Sequence, residues 1–239
     1  MKYLMSIKYD GSKFNGFQRQ KNVRNVQSEI EKALSKYLDE PVIIKGAGRT
    51  DKGVHAYDQK VHFETQKSIK GLKGYLNKSL MDIKIKNIKL VSDNFHARFS
   101  VKNKTYIYII SFDKNDDKRY YLYQKSLNIK NMKKCAKLFE GTHNFQNFVS
   151  GQRDSYISTI KSIKFYKFFK RLYIVFNGRS FYRYMVRNLV GSLIQVGKNK
   201  VSITEIENMI NCKIEKMPNT APANGLYLVK IRYLRAKFA

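Results

Sequence analysis

The sequence has no tryptophan, three prolines, two cysteines and few acids. Its cysteines, Cys135 and Cys212, form no CxxC and have no histidine at ligand spacing, which excludes a disulfide scaffold and a thiolate zinc site. There is no proline-rich or glycine–serine linker and no low-complexity tail. No apolar run approaches the roughly 18 to 20 residues that cross a bilayer. Met1 to Asp10 alternates like a strand and is broken by Lys8 and Asp10, so it lacks the apolar core of a signal peptide. These absences lead to the expectation of a cytoplasmic protein that is not held in a membrane. The acids are the most telling scarcity: 18 Asp and Glu stand against 47 Lys and Arg, a net charge of +29. Plentiful Lys, Asn, Ile, Phe and Tyr fit an AT-rich coding sequence, but that bias raises Glu too. The imbalance therefore points to a polyanionic partner, with nucleic acid the leading class.

What is present reads as a folded α+β protein. Hydrophobic residues make up 43% of 239 residues, enough for one large domain or two intimate lobes. Tyr3 to Tyr9 alternates as a strand, and Val26 to Leu38 carries apolar residues at helical spacing. Val42 to Gly46 and Gln59 to Thr65 read as strands around a glycine-bearing loop, Leu72 to Leu80 as a helix and Ile83 to Val91 as a strand. The second half repeats the order: strand Tyr106 to Phe112, helix Met132 to Phe139, and a hairpin of Thr159 to Phe168 and Leu172 to Phe176 turned at Lys170 and Arg171. Helices at Tyr182 to Val196 and Thr204 to Ile210 and a strand at Leu226 to Tyr233 complete it. The expectation is two ferredoxin-like βαββαβ halves, residues 1–100 and 101–239, sharing an antiparallel sheet. RNA-recognition domains use that topology with aromatics on the open face.

The densest cluster of chemical groups is GAGRTDKGVHA, Gly46 to Ala56. Its glycines suit a shaped loop leaving a strand. No GK[ST] follows and no helix starts there, so it is not a phosphate-binding loop. Arg49 and Asp51 are two apart, which at a strand end would point both to one face. A carboxylate beside a guanidinium stays ionised and oriented, and such a carboxylate can act as a nucleophile. A turn in which Asp51 caps backbone N–H groups while Arg49 makes a surface ion pair is the alternative reading of the same residues.

GRTDKGVHA resembles the catalytic motif of the TruA-type tRNA pseudouridine synthases. So do Tyr9 to Leu34 (YDGSKFNGFQRQKNVRNVQSEIEKAL), FHARFS (Phe95 to Ser100), KTYIYII (Lys104 to Ile110), FYRYMVRNLVG (Phe181 to Gly191) and APANGLYLVKIRY (Ala221 to Tyr233). These segments run in order along nearly the whole chain. The resemblance implies an enzyme that isomerises uridine in the tRNA anticodon stem-loop, positions 38–40, as a homodimer with a cleft between tandem halves. It implies that Asp51 is the catalytic aspartate and that Arg49 pairs with it or occupies the space of the flipped base. By the same resemblance Tyr106 stacks on the target base and helps remove its C5 proton, Arg187 holds the aspartate, and Leu226 lines the uracil pocket. The chain departs from the family pattern at Phe14, Phe17 and Met81. Pseudouridylation breaks the N1–C1′ bond and rejoins the ring through C5, with no net redox change and no hydrolysis, so no metal or cofactor is expected. An arginine in the apolar run after Met185 is costly without a carboxylate, which favours Asp51 as its partner.

Lys13, Arg19, Lys21 and Arg24 crowd the loop before the first helix. Lys13, Arg19 and Arg24 are the expected phosphate contacts there, a strong but sequence-blind term. Lys102, Lys104, Lys161, Lys164, Lys167, Lys170 and Arg171 read as strand-edge charge. His62 alternates with apolar neighbours and reads as structural; His55 and His96 read as loop-shaping. Two alternatives stand beside the tRNA enzyme: a synthase of the same fold acting on ribosomal or other RNA, and a non-catalytic RNA-binding protein. The set Arg49, Asp51 and Tyr106 argues against the second.

Overall fold

The computed structural model describes residues 1–216 and 218–234. The chain forms two units, Met1–Lys104 with the segment that begins at Tyr227, and Thr105–Leu226. The first unit is built from β1 (Lys2–Tyr9), α1 (Val26–Leu38), β2 (Lys45–Gly46), β3 (His55–Glu64), α2 (Leu72–Ser79) and β4 (Ile83–Val91). β1 lies between β4 and β3 and is antiparallel to both. β2 pairs antiparallel with β3, Lys45 opposite His62 and Gly46 opposite Val61. The order β4-β1-β3-β2 is that of a ferredoxin-like βαββαβ unit. β10 (Leu226–Tyr233) also runs along β3, in parallel, with Tyr227 opposite His55 and Leu228 opposite Ala56.

Local chemistry sets these elements. β1 is central, and six of its eight residues are buried. α1 turns Val26, Ile30, Ala33, Leu34 and Leu38 to the core and is capped by Asn25, whose side chain accepts from the Ser28 N–H at 2.9 Å. The sequence places a strand over Val42 to Gly46, but pairing begins only at Lys45. The reason is that α1 takes the backbone first. Val42 N–H donates to Ser35 Oγ at 2.9 Å, and Ile44 N–H donates to the buried carboxylate of Glu31 at 3.0 Å.

The second unit takes the rest of β5 (Val101–Ser111), followed by β6 (Leu122–Tyr123), α3 (Ile129–Leu138), β7 (Gly141–Asn144), β8 (Ile157–Phe168), β9 (Arg171–Gly178), α4 (Met185–Gly197) and α5 (Ile203–Ile210). Its strand order is β5-β9-β8-β7. β8 and β9 form the expected hairpin, but Arg171 already pairs with Phe168. Phe169, at φ 48°, and Lys170 therefore make the turn, while the Arg171 guanidinium is held by Asp116 at 2.8 and 2.9 Å. α4 starts at Met185 rather than Tyr182 because Tyr184 adopts the left-handed conformation, φ 61°. Phe139, Phe145 and Phe148 pack edge to face in the core. Cys135 is buried there, its thiol pushed up to about 12 by burial, whereas Cys212 is exposed.

His62 is structural, as its strand phase suggests. It is buried on β3, its Nδ1 accepts from the Ala97 N–H at 3.1 Å, and its ring meets His96 edge-on at 4.8 Å. Burial holds it neutral, down to about 4 from 6.5, with the His96 charge acting in the same direction. Between those values the unfolded chain binds a proton that the fold refuses, so stability is lost as pH falls through that window. We expect the urea midpoint to drop between about pH 7 and about pH 5. His62→Asn, which keeps an acceptor near Ala97 and removes the titration, should be less stable at neutral pH but drop less. Equal drops in denaturation curves would contradict this role.

Candidate active site

Asp51 stands in the loop between β2 and β3, not at a strand end. β2 stops at Gly46 and β3 begins at His55, so strand alternation does not align Arg49 with Asp51. Arg49 is exposed, Thr50 is buried and Asp51 is half-buried. A turn follows, closed by the Val54 N–H on the Asp51 carbonyl at 3.1 Å, with Gly53 at φ 82°.

The loop is held from three sides. From β1, the Tyr9 hydroxyl is 2.8 Å from Thr50 Oγ1; burial pushes that phenol up to about 12, opposed by its hydrogen bonds to Thr50 and Gln59. From the segment before α1, Phe17 N–H donates to the Thr50 carbonyl at 3.1 Å. Gly16, at φ 93°, lies so close that an added Cβ would come 2.9 Å from that carbonyl oxygen. Gly11 packs against the Val54 carbonyl with no room for a side chain, and its N–H donates to His55 Nδ1 at 3.1 Å. His55 in turn stacks on Tyr227 at 4.6 Å. From the sheet, Gln59 Nε2 donates to the Gly48 carbonyl at 2.8 Å and Lys104 Nζ to the Ala47 carbonyl at 2.7 Å.

The predicted basic contacts divide. Lys13 is exposed on a short 3-10 turn, Gly11–Lys13. Arg19 instead lies 3.4 Å from the buried carboxylate of Glu31. Arg24 is 2.7 Å from Asp82 and 3.5 Å from Glu29, and covers the Phe14 ring at 4.6 Å; the Asp82 hydrogen bond raises its pKa. Arg19 and Arg24 thus serve folded-state ion pairs, and reversing either charge would set it against an acid. Phe14 and Phe17 are core residues, while Met81 is exposed. Lys104, read as strand-edge charge, is buried.

The second unit carries Tyr106, Arg187 and Leu226. Tyr106 lies on β5, 7% exposed, with its ring edge-on to Phe181 at 5.2 Å. Tyr108, two residues on, is fully buried and donates its hydroxyl to the Pro222 carbonyl at 2.8 Å, a structural role that separates the two tyrosines of KTYIYII. Burial raises the Tyr108 phenol and the Arg187 charge opposes the rise. Arg187, in the first turn of α4, donates Nε to the Ala221 carbonyl at 2.8 Å, and its guanidinium lies 4.9 Å over the Tyr184 ring. The Ala221 N–H returns a bond to the Arg187 carbonyl at 3.1 Å. Leu226 is buried at the start of β10.

Sequence reading missed Tyr9, Gln59, Lys52 and Lys104. Gln59 is a fully buried polar residue on β3, and such a residue needs a partner. Lys104 shares the inward phase of Tyr106 and Tyr108, a signal available from spacing alone. Lys52 is exposed beside Asp51. Among the described residues no group of three or more His, Cys, Asp or Glu is arranged to hold a metal, and no helix is long and apolar enough to cross a membrane.

The chain matches known proteins over nearly its whole length. A family profile described as tRNA pseudouridine synthase matches residues 5–100 and 135–234. Arg49, Asp51, Arg187 and Leu226 fall inside those stretches and Tyr106 between them. The tRNA pseudouridine synthase A of Malacoplasma penetrans (strain HF-2) is 39% identical over 241 residues, 98% of this chain and 100% of that protein. That of Ruminiclostridium cellulolyticum is 41% identical over 243 residues, 97% of this chain and 99% of the relative. The Dictyoglomus thermophilum protein of the same name is 39% identical over 243 residues, 96% and 98% of the two chains. On these matches the chain belongs to the tRNA pseudouridine synthase family.

Proposed function

We infer that this protein is an isomerase that converts uridine to pseudouridine in tRNA, with Asp51 as the reacting carboxylate. The observation that carries the reading is the loop of Gly46 to Val54, whose backbone is held by Phe17, Gln59 and Lys104 and whose Thr50 hydroxyl is held by Tyr9, with Asp51 half-buried on it. A nucleophile restrained in this way starts near its reacting geometry. Asp51 attacks either ribose C1′ or uracil C6. In both routes the N1–C1′ bond breaks, the ring turns and a C5–C1′ bond forms, the C5 proton leaves and N1 ends protonated. Atoms and electrons balance within the substrate.

The target base must leave its stack, and an aromatic and apolar pocket suits it. By the resemblance of the motifs, Tyr106 provides the stacking face and a hydroxyl that helps remove the C5 proton, Leu226 the apolar wall, and Arg187 the cation that holds the aspartate. Arg49, with no strand to align it, serves the space of the flipped base or the flanking phosphate. Lys13 and Lys52, exposed on the two segments packed around Asp51, are the phosphate contacts this reading favours over Arg19 and Arg24. We further propose the anticodon stem-loop, positions 38–40, as the target, a homodimer as the working form and the cytoplasm as its location, all from the resemblance of the motifs.

Three outcomes test the reading. Asp51→Asn should abolish pseudouridine formation while tRNA affinity stays within about tenfold, because phosphate contacts dominate binding; turnover by this variant removes Asp51 as nucleophile. Tyr106→Phe should lower single-turnover rates by about 10²- to 10⁴-fold, the scale of proton-transfer catalysis, and an unchanged rate would leave Tyr106 a stacking platform only. The Lys13→Glu, Lys52→Glu pair should weaken tRNA binding and flatten the log–log salt dependence by about 0.7 to 0.9 per lost phosphate contact. An unchanged salt slope would move the RNA path off these two segments.

A further inference from the structure

A buried lysine needs an explanation that packing does not supply. Lys104 sits on β5 with 7% of its surface exposed, and its Nζ donates to the Ala47 carbonyl at 2.7 Å. An apolar side chain of similar length would fill the space without the cost of removing an ammonium from water. What it would not do is bind a carbonyl.

The neighbouring glycine gives a second, independent observation. Gly48 does not have a positive φ, so its backbone admits alanine. Yet a Cβ there would lie 3.1 Å from Lys104 Nζ, closer than a methyl group and an ammonium sit without one of them giving way. The glycine makes room for the lysine, not for a turn. Gln59 takes the next carbonyl, that of Gly48, at 2.8 Å. Two successive carbonyls are thus fixed by two side chains, directly ahead of Arg49, Thr50 and Asp51.

We propose that Lys104 is a positioning residue for the reaction: its ammonium, bonded to the Ala47 carbonyl and seated over Gly48, fixes the path by which the chain reaches Asp51. This rests on Asp51 being the reacting carboxylate. Lys104 itself touches no reacting atom; it acts through the peptide planes of Ala47 and Gly48. A neutral amine would hold the carbonyl more weakly, since hydrogen bonds from charged donors are roughly twice as strong. Burial lowers the Lys104 pKa from 10.5 to about 8, and the charge of Arg98, from the segment between β4 and β5, acts in the same direction. The loop therefore slackens as pH rises through about 8. Stability moves the other way. Between about 8 and 10.5 the unfolded chain holds a proton that the fold has released, so this group makes the fold more stable as pH rises.

The test uses the full-length protein with tRNA and four variants: Lys104→Met, Gly48→Ala, their combination, and Asp51→Asn as reference. Lys104→Met should fold, with KM unchanged and kcat down about 10- to 100-fold, the scale for a small misplacement of a reacting group. The fall in kcat above about pH 8 should disappear in that variant. Gly48→Ala should lower kcat in the wild type and add nothing in the Lys104→Met background. The proposal is overturned if Lys104→Met keeps wild-type kcat and its alkaline limb, or if Gly48→Ala costs the same in both backgrounds. Should Lys104→Met not fold, Gly48→Ala alone decides, and a wild-type kcat rejects the proposal. Turnover by Asp51→Asn would reject the underlying reading instead.

Discussion

The architecture of the first unit depends on one close approach, that of the segment from Asp10 to Phe17 against the loop of Thr50 to His55. Gly11 meets the Val54 carbonyl with no space for a side chain, and Gly16, at φ 93°, meets the Thr50 carbonyl. A residue with a Cβ at Gly16 would be strained by its backbone before any clash was counted. Because the two segments touch, other bonds can form. Phe17 N–H reaches Thr50, and the first amides of α1, at Val26 and Gln27, reach the carbonyls of Gly16 and Phe17. The helix start, the loop carrying Asp51 and the turn presenting Lys13 are therefore one cooperative piece.

The second unit uses the same device. At Gly191, α4 lies directly against the Asn219 carbonyl, with no room for a side chain. The contact is flanked by Thr220 Oγ1 to Asn188 Oδ1 at 2.6 Å and by the paired bonds between Arg187 and Ala221. The segment from Asn219 to Pro222 thereby orients Arg187 and receives the Tyr108 hydroxyl. In both units a glycine lets two backbones meet, and the polar groups brought together there aim a charged side chain.

Much of this was legible in the sequence wherever one face of an element is apolar. The bounds of α1, β4 and β10 follow from spacing alone because Val26 to Leu38 keeps a helical stripe and Ile83 to Val91 alternates. Asp51 stands out as a candidate through the glycines around it and through resemblance. What spacing could not give were contacts between residues far apart in sequence. Val42 to Ile44 has the composition of a strand, yet its amides bond to Ser35 and Glu31. Arg19 and Arg24 look like free loop charges until Glu31 and Asp82 come beside them. Lys104 reads as surface charge because lysine is seldom buried; only its shared phase with Tyr106 hinted otherwise.

The assignment rests on an aspartate carried by a braced loop in a chain of net charge +29 that belongs to a family of tRNA pseudouridine synthases. The most direct measurement is chemical mapping of pseudouridine across total RNA from cells with and without the gene. The account predicts that pseudouridine disappears from tRNA positions 38–40 in cells lacking the gene, with ribosomal RNA unchanged, and returns when the gene is restored. Identical maps with and without the gene, or losses confined to ribosomal RNA, would contradict it.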